Sequence, residues 1–378
     1  MTRVLVMLGS LAASTAASAA TACPPLPGAD VVLSPGARIH VGEMHGTTEI
    51  PRTFGTLVCH ATKKGGAVRV GLEIPASEDA SIAAYLGSNG APADRAALLA
   101  SPWWANKRWQ EGRRSVAWAA LLETIRALRH GGADIDIATF DDESQKDRDQ
   151  AMAKRAFAAI ARAPKATWLL YSGNVHARKT PGTFPQPLMA GDLVKMGVPL
   201  VTLDARYGRG SAWVCFSMDG AGCGPSVVGH AGAPRPVGVT LHPSDDGAYD
   251  GVLDVGVVSF SPPAAVPPSP SQAARAAAIP RILAALDAYD AKDWPRCAGL
   301  YDALARELRV ADHAYNAACC HALGGKPDSA FVALALAIDY GFHDDGSLAK
   351  DSDLVSLHGD ARWKPLVARA SAPRSPAK

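Results

Sequence analysis

The sequence lacks several features that would assign a function class at once. It has no basic patch with interleaved aromatic residues, and its net charge is only +2 over 378 residues, so nucleic acid is not an expected partner. No stretch reaches the roughly 18 consecutive apolar residues of a transmembrane helix. A Gly-rich phosphate loop of standard spacing, a nucleophile elbow and the paired-histidine helix of zinc proteases are also absent. Any catalytic function must therefore come from a different arrangement of residues.

The N-terminus has the composition of a secretory leader. A basic start is followed by the apolar run VLVMLGSLAAS and by small residues that include the Ala-x-Ala sites 17–19 and 20–22. We expect a leader at residues 1–22, a mature chain that begins after Ala19 or Ala22, and a periplasmic or secreted protein. Cys23 offers a lipoprotein alternative, but a large aliphatic residue is missing three positions upstream, so plain export is favoured.

Export would place the seven cysteines in an oxidising compartment, where disulfides persist. Cys215 and Cys223 flank the Gly-rich turn SMDGAG between two short β-like runs, and we predict a bridge between them. The odd number of cysteines leaves at least one thiol unpaired or bonded to another chain.

Strands and helices alternate between residues 38 and 204, which predicts an α/β domain with a mostly parallel sheet flanked by helices. The strand patterns are RIHVGE, VRVGLEI, DIDIATF, WLLYSG and PLVTLDA. Residues 205–260 contain more glycine and shorter β-like runs, and we expect them to form an antiparallel extension. The α/β domain would thus span residues 23–260.

The chain changes character after residue 260. Residues 261–274 are rich in proline and small residues that cannot build a core, so we predict a linker there. Residues 275–378 show only helical patterns, and YNAACCHALGGKPDSAFVALALAIDYGF resembles a terminal tetratricopeptide unit. This resemblance implies a small all-helical domain that could bind a protein partner.

Ionisable residues lie at the ends of several predicted strands. Glu43 and His45 follow the first strand, Glu73 ends the second, and His176 follows the fourth. A single Glu or His is more often a solvated or structural residue, but the carboxyl ends of parallel strands meet at one edge of a sheet. We therefore expect these four side chains to form one site, with Glu49 at the start of the next helix as a further contact to substrate.

Five motifs, in the order VGEMHGTTEIP, GLEIP, GRRSVAW, RDQAMA and SGNVHA, are spread over residues 38–177. They resemble the erythromycin esterase, ChaN and TIKI/TraB superfamily of α/β proteins. The resemblance implies a site built from two carboxylates, two imidazoles and two guanidinium groups that point in from helices to bind substrate: Glu43, Glu73, His45, His176, Arg113 and Arg148.

The branches of this superfamily imply different chemistry for the same residues. In the esterases a histidine activates water without a metal, in the TIKI branch a divalent metal supports a peptidase, and in the ChaN branch the protein binds haem or serves iron uptake. Two histidines and two glutamates could hold Mn²⁺, Co²⁺ or Zn²⁺, with Glu43, His45, Glu73 and His176 as ligands, or could form a general base with an orienting carboxylate. The short spacing from Glu43 to His45 is that of the ChaN and TIKI branches, which weakens the case for macrolide lactones as substrates.

The leading prediction is an exported hydrolase of ester, lactone or peptide bonds that acts on a small molecule or a peptide. A haem- or iron-binding uptake protein is the alternative. A scaffold that recruits partners through its helical tail is the second alternative.

Other residues near the expected site have simpler interpretations. Trp103, Trp104 and Trp109 are expected to be core anchors rather than a lid. Ser172 is the serine closest to the expected site and would be the candidate if the enzyme used a serine nucleophile. Asp141 ends the third strand at the same edge of the sheet.

Overall fold

The computed structural model describes residues 22–215, 222–232 and 235–372. The leader predicted at residues 1–22 lies outside these ranges except for its last residue. Within the described ranges, the helices include none that is long and apolar enough to cross a membrane.

A mostly parallel sheet of seven strands forms the centre of the first part of the chain. The described residues form the strands β1 (Arg38–Glu43), β2 (Val68–Pro75), β3 (Ile135–Asp141), β4 (Thr167–Gly173), β5 (Val201–Gly208), β6 (Gly210–Val214), β7 (Gly224–Val228), β8 (Gly238–Leu241) and β9 (Gly251–Val257). The sheet has the order β3-β2-β4-β1-β5-β9-β8, and β8 is its antiparallel strand. The predicted α/β fold is confirmed, with β1 at the centre of the sheet.

Helices cover both faces of this sheet. They are α1 (Glu49–Lys63), α2 (Asp79–Gly87), α3 (Pro92–Leu99), α4 (Val116–His130), α5 (Arg148–Arg162) and α6 (Met189–Lys195). One core cluster joins α1 and α4 to Leu169 and Tyr171 of β4, whereas another joins α5 and α6 to Trp168 and Leu170 of the same strand. Because successive side chains of a strand point to opposite faces, these two clusters lie on opposite sides of the sheet. The central strands therefore have apolar side chains on both faces.

The expectation for residues 205–260 is partly wrong. β6 and β7 do form an antiparallel hairpin, and β8 pairs with β9 in the antiparallel sense. However, β9 runs parallel to β5 and belongs to the main sheet. Val252, Leu253 and Val255 are buried there, so this short strand contributes apolar side chains to the core like the strands before it.

Three disulfides join the described cysteines. Cys215 is bonded to Cys223, the pair singled out in the sequence, and the bridge joins the residue after β6 to the residue before β7. The other two, which the sequence did not suggest, join Cys23 to Cys59 and Cys297 to Cys320. Cys319 remains as a free, buried thiol.

The C-terminal region is helical, as predicted. Its helices are α7 (Pro270–Asp290), α8 (Trp294–Leu308), α9 (Ala311–Leu323), α10 (Pro327–Asp339) and α11 (Trp363–Ala370). The start of α7 lies inside residues 261–274, where a linker was expected, because Ser269 caps the helix by accepting a hydrogen bond from the Gln272 amide at 3.3 Å. The likeness of this region to tetratricopeptide units stays a prediction.

Candidate active site

The carboxyl ends of four neighbouring strands bring the predicted residues together. Asp141 ends β3, Glu73 lies near the end of β2, Gly173 ends β4 and Glu43 ends β1, and the strands are adjacent in this order. His176 lies in a 3-10 turn directly after β4. Parallel strands make this clustering a consequence of the topology.

Glu43 and His45 form a hydrogen-bonded pair. Nδ1 of His45 lies 2.7 Å from Oε1 of Glu43. The indole of Trp118 donates to the same oxygen at 2.8 Å, and the hydroxyl of Tyr171 donates to Oε2. Burial raises the pKa of Glu43, although these hydrogen bonds oppose the rise. The fixed carboxylate orients the imidazole so that Nε2 points away from it.

His176 forms a second pair of the same type with Asp149. Nδ1 of His176 lies 2.8 Å from Oδ1 of Asp149, and this oxygen also accepts a hydrogen bond from the Met189 amide at 2.9 Å. Asp149 lies in the first turn of α5, next to Arg148. The site thus contains two imidazoles, each oriented through Nδ1 by its own carboxylate.

Glu73 lies between the two imidazoles. Its Oε2 is 3.5 Å from Nε2 of His45, and its Oε1 is 3.7 Å from Nε2 of His176. Oε1 also accepts hydrogen bonds from Arg113 at 3.0 Å and from Arg148 at 2.6 Å. Burial alone would raise the pKa of Glu73, but Arg113, the two histidines and Arg148 hold it well below its usual range. Glu73 therefore carries a negative charge at neutral pH.

Arg113 connects Glu73 to a wider group of carboxylates. It donates to Asp141 at 2.6 Å, to Glu111 at 2.9 Å and to Glu143 at 2.7 Å. Arg148 binds the other oxygen of Asp141 at 2.8 Å. Burial would lower the pKa of Arg113, but these carboxylates raise it well above its usual value. Both predicted arginines thus lie in the site, where they bind its carboxylates.

Two glycines allow the loop that carries Arg113 to pack on the loop that carries His45. Gly46 has a φ of 81°, a conformation that other residues rarely adopt. A Cβ atom at Gly112 would lie only 2.1 Å from the backbone nitrogen of Gly46. A side chain at position 112 would therefore separate the two loops.

Ser172 is not placed to act as a nucleophile. It is fully buried, and its hydroxyl lies 2.7 Å from Nε2 of His40, which is also fully buried. Burial is the main cause that lowers the pKa of His40 to about 3, and the charge of the nearby His176 contributes less. This pair belongs to the interior of the sheet.

Glu49 does not join the cluster, although the sequence suggested a contact to substrate. Its two carboxylate oxygens accept hydrogen bonds from the backbone nitrogen and the hydroxyl of Ser259, both at 2.7 Å. Glu49 is thus a structural residue that holds the segment after β9.

Trp103 and Trp104 are buried in the main core, as expected, and Trp109 is half-buried.

The sequence did not single out several residues that hold the site in place. Asp149 directly follows Arg148 in the first turn of α5, and the sequence alone does not distinguish such a pair from one on an exposed helix surface. Trp118 lies in the motif GRRSVAW, but nothing in that motif shows that its indole reaches Glu43 across 75 residues of sequence. Tyr171, in β4, reads as an ordinary core residue. These contacts depend on packing that a linear pattern does not encode.

The donor atoms do not fit a resident divalent metal. Both oxygens of Glu43 accept hydrogen bonds from protein donors, and Glu73 accepts from two arginines and from the Gly173 amide at 2.6 Å. Within the described part of the chain, no three carboxylate or imidazole ligand atoms of this cluster converge as a metal group would require. A metal that binds Glu73 would have to displace the two arginines from its carboxylate.

Comparisons with known proteins give distant structural neighbours only. No protein-family model matches the chain, and no curated protein matches it. A Bacillus cereus protein is similar over 62% of this chain and 91% of its own, with 12% identity and a TM-score of 0.46. A mutant of the erythromycin esterase EreC in its open conformation is similar over 60% and 92%, with 12% identity and a TM-score of 0.44. A succinoglycan biosynthesis protein is similar over 61% and 90%, with 13% identity and a TM-score of 0.37.

With identities and TM-scores this low, these neighbours assign no activity. Any activity must therefore be inferred from the side chains of the site.

Proposed function

We propose that the protein is a hydrolase that activates water for attack on an ester, lactone or peptide carbonyl. His45 is the general base: its Nδ1–H donates to Glu43, which leaves Nε2 to accept a proton from water. The resulting hydroxide attacks the carbonyl carbon, and the protonated imidazole then donates its proton to the leaving group. Atoms and charge balance without a cofactor.

The pattern of exposure carries this proposal. The side chains of His45, His176 and Arg148 are 27%, 15% and 29% exposed. Those of Glu43 and Glu73 are 0% and 1% exposed. A substrate entering from solvent would therefore meet two imidazoles and a guanidinium, with the orienting carboxylates behind them.

Arg148 supports the developing negative charge in this proposal. Its Nη1 also donates to Nε2 of His176 at 3.4 Å, so the guanidinium holds the second imidazole in place. A guanidinium held by Glu73 and Asp141 is fixed before substrate arrives, and a preorganised cation of this kind stabilises an oxyanion.

The disulfides support the proposal that the enzyme acts in the periplasm or outside the cell. Structural disulfides form in oxidising compartments. Cys23 is bonded to Cys59, and a sulfur in a disulfide is not available for lipid attachment. This supports plain export over a lipoprotein.

A substrate panel tests the proposal. The purified chain is assayed on ester, lactone and peptide substrates, with and without a chelator and with added Mn²⁺, Co²⁺ or Zn²⁺. We expect hydrolysis of at least one class that is indifferent to the chelator and lost in His45→Ala. Loss on chelation that metal restores would instead support a metal-dependent peptidase. Tight haem binding without hydrolysis would support the uptake alternative and contradict the proposal.

A further inference from the structure

A cavity of about 230 Å³ lies in the helical region, outside the site described above. It is lined by residues of α7, α8 and α9, by Asp351 and by the 3-10 helix Ser352–Leu357 that Asp351 caps. The residues that give it its chemical character are three tyrosines, one cysteine and two aspartates: Tyr289, Tyr301, Tyr315, Cys319, Asp351 and Asp353. The cavity therefore combines aromatic walls with two carboxylates.

The charge of this cavity is uncompensated. Among the described residues that line it there is no Lys, Arg or His, and within the described chain neither Asp351 nor Asp353 forms an ion pair with a basic side chain. Both aspartates are half-buried. A half-buried carboxylate is less well solvated than one on the surface, so a cation that enters would be attracted more strongly than at an exposed acidic pair.

Tyrosine hydroxyls hold both carboxylates in position. Tyr289 donates to Oδ2 of Asp353 at 2.6 Å, and Tyr315 donates to Oδ2 of Asp351. Oδ1 of Asp351 accepts the Asp353 amide at 2.9 Å. A carboxylate can accept about four hydrogen bonds, so each aspartate keeps acceptor capacity for a ligand. The carboxylates are thus oriented by neutral donors that leave their negative charge in place.

We propose that this cavity binds a small organic cation that carries a primary ammonium group. An alkylammonium ion has three N–H donors for the two carboxylates, and tyrosine rings attract a cation placed within about 6 Å of their faces. The volume suits a short alkylamine rather than a large ligand. The amine could belong to a free diamine or to a lysine side chain, and both present the same chemistry.

A metal ion fits the cavity less well. Ligand atoms of Cys319, Asp351 and Asp353 do lie within 4.8 Å of one another. However, Oδ2 of Asp353 already accepts the Tyr289 hydroxyl, and Oδ2 of Asp351 accepts the Tyr315 hydroxyl and the Cys319 thiol, the last at 3.9 Å. A metal would have to break these hydrogen bonds, whereas an ammonium ion can donate to the acceptor positions that remain. Burial and the two aspartates also raise the pKa of Cys319, which opposes the thiolate that a metal binds.

Isothermal titration of the full chain tests this proposal with two probes, 1,5-diaminopentane and N-acetyl-lysine amide. We expect saturable binding of at least one probe, and the tighter of the two identifies the source of the amine. Asp353→Asn should weaken binding about tenfold, because it removes one charge-assisted contact. Tyr289→Phe should weaken it less, since it removes only the hydrogen bond that orients Asp353.

The matched control is Asp312→Asn, which removes a negative charge from the same region at an exposed position outside the cavity. It should leave the affinity unchanged, and all variants should keep the wild-type unfolding midpoint within a few degrees. Asparagine can still accept the Tyr289 hydrogen bond, so Asp353→Asn is expected to fold. Absence of saturable binding by either probe would overturn the proposal. So would equal weakening by Asp312→Asn, or binding of Zn²⁺ alone that is lost in Cys319→Ser.

Discussion

Nε2 of His45 lies 3.5 Å from Oε2 of Glu73, so the proposed base faces a carboxylate that stays ionised. Glu43 contacts the other nitrogen of the same ring. Burial alone would lower the pKa of His45, but the charges of Glu73 and Glu43 outweigh it and raise the pKa. The imidazole is therefore a stronger base than an isolated histidine.

This raised pKa predicts the pH dependence. The base form of His45 is the deprotonated one, so kcat/KM should increase with pH through a limb that lies above the usual histidine pKa of about 6.5. Glu43→Gln removes a negative charge that stabilises the imidazolium, so the pKa of His45 should fall. NMR titration of the imidazole measures this even if the variant is inactive. Glu49→Gln is the matched control and should leave the pKa unchanged, because Glu49 binds Ser259. A pKa that does not move in Glu43→Gln would contradict the assigned role of Glu43.

The two imidazoles should not contribute equally. His45→Ala removes the proposed base and should lower kcat by about 10²–10⁴-fold. Asp149→Asn leaves both imidazoles in place but disturbs the orientation of His176, so the loss of kcat should be smaller, on the order of tenfold, with little change in KM. Asp147→Asn, at an exposed position before α5, should have no effect. If Asp149→Asn proves as severe as His45→Ala, His176 is the base and the roles must be exchanged.

The sequence predicts where the site lies better than it predicts the hydrogen bonds that hold the site together. Glu43, Glu73 and His176 could be placed at one sheet edge because strand ends converge whenever parallel strands are neighbours. The hydrogen bond from Trp118 to Glu43 could not be predicted from the sequence, since it depends on how α4 packs on the sheet. The same limit applies to Glu49: its hydrogen-bond partner, Ser259, is 210 residues away in the sequence.

The position of β9 shows the same limit at the level of the fold. Its run GVLDVGV is as apolar as a central strand, but the Gly-rich segments before it are typical of an irregular extension. Membership of the parallel sheet depends on pairing with β5, which is not visible in the pattern of either strand alone.

Arg113 should be essential to stability as well as to the site. It is 6% exposed and contacts Glu73 and Asp141, which are also buried. Arg113→Ala would leave both carboxylates buried without this partner, and breaking a buried ion pair in this way costs about 3–5 kcal/mol. Arg129→Ala removes an exposed pair with Asp136 and should cost about 0–1 kcal/mol. Urea unfolding of both variants measures the difference, and a similar free energy of unfolding for the two would contradict the role of Arg113.

The boundary between the α/β part and the helical region should lie after residue 265 rather than at residue 261. The Val116 amide donates to the carbonyl of Pro262 at 2.9 Å, and the Ala264 amide donates to the carbonyl of Arg114 at 2.8 Å. These bonds hold the segment after β9 against the start of α4, next to Arg113. Residues 259–264 thus support the site, although a linker was expected from residue 261 onward.

Two shortened chains test this boundary. A chain that ends at Pro268 keeps every contact of residues 259–264, so it should retain the sheet and the hydrolytic activity of the full chain. A chain that ends at Val258 loses the bonds to Glu49, Arg114 and Val116 and should unfold at a clearly lower temperature, with loss of activity. Far-UV circular dichroism melts and the hydrolysis assay measure both effects.

The contacts of Gln272 with Cys223 and of Arg275 with Ser226 place α7 against the β6–β7 hairpin. If the chain ending at Pro268 is insoluble or inactive, these contacts belong to a core shared by the two parts, and the proposed division into domains is wrong.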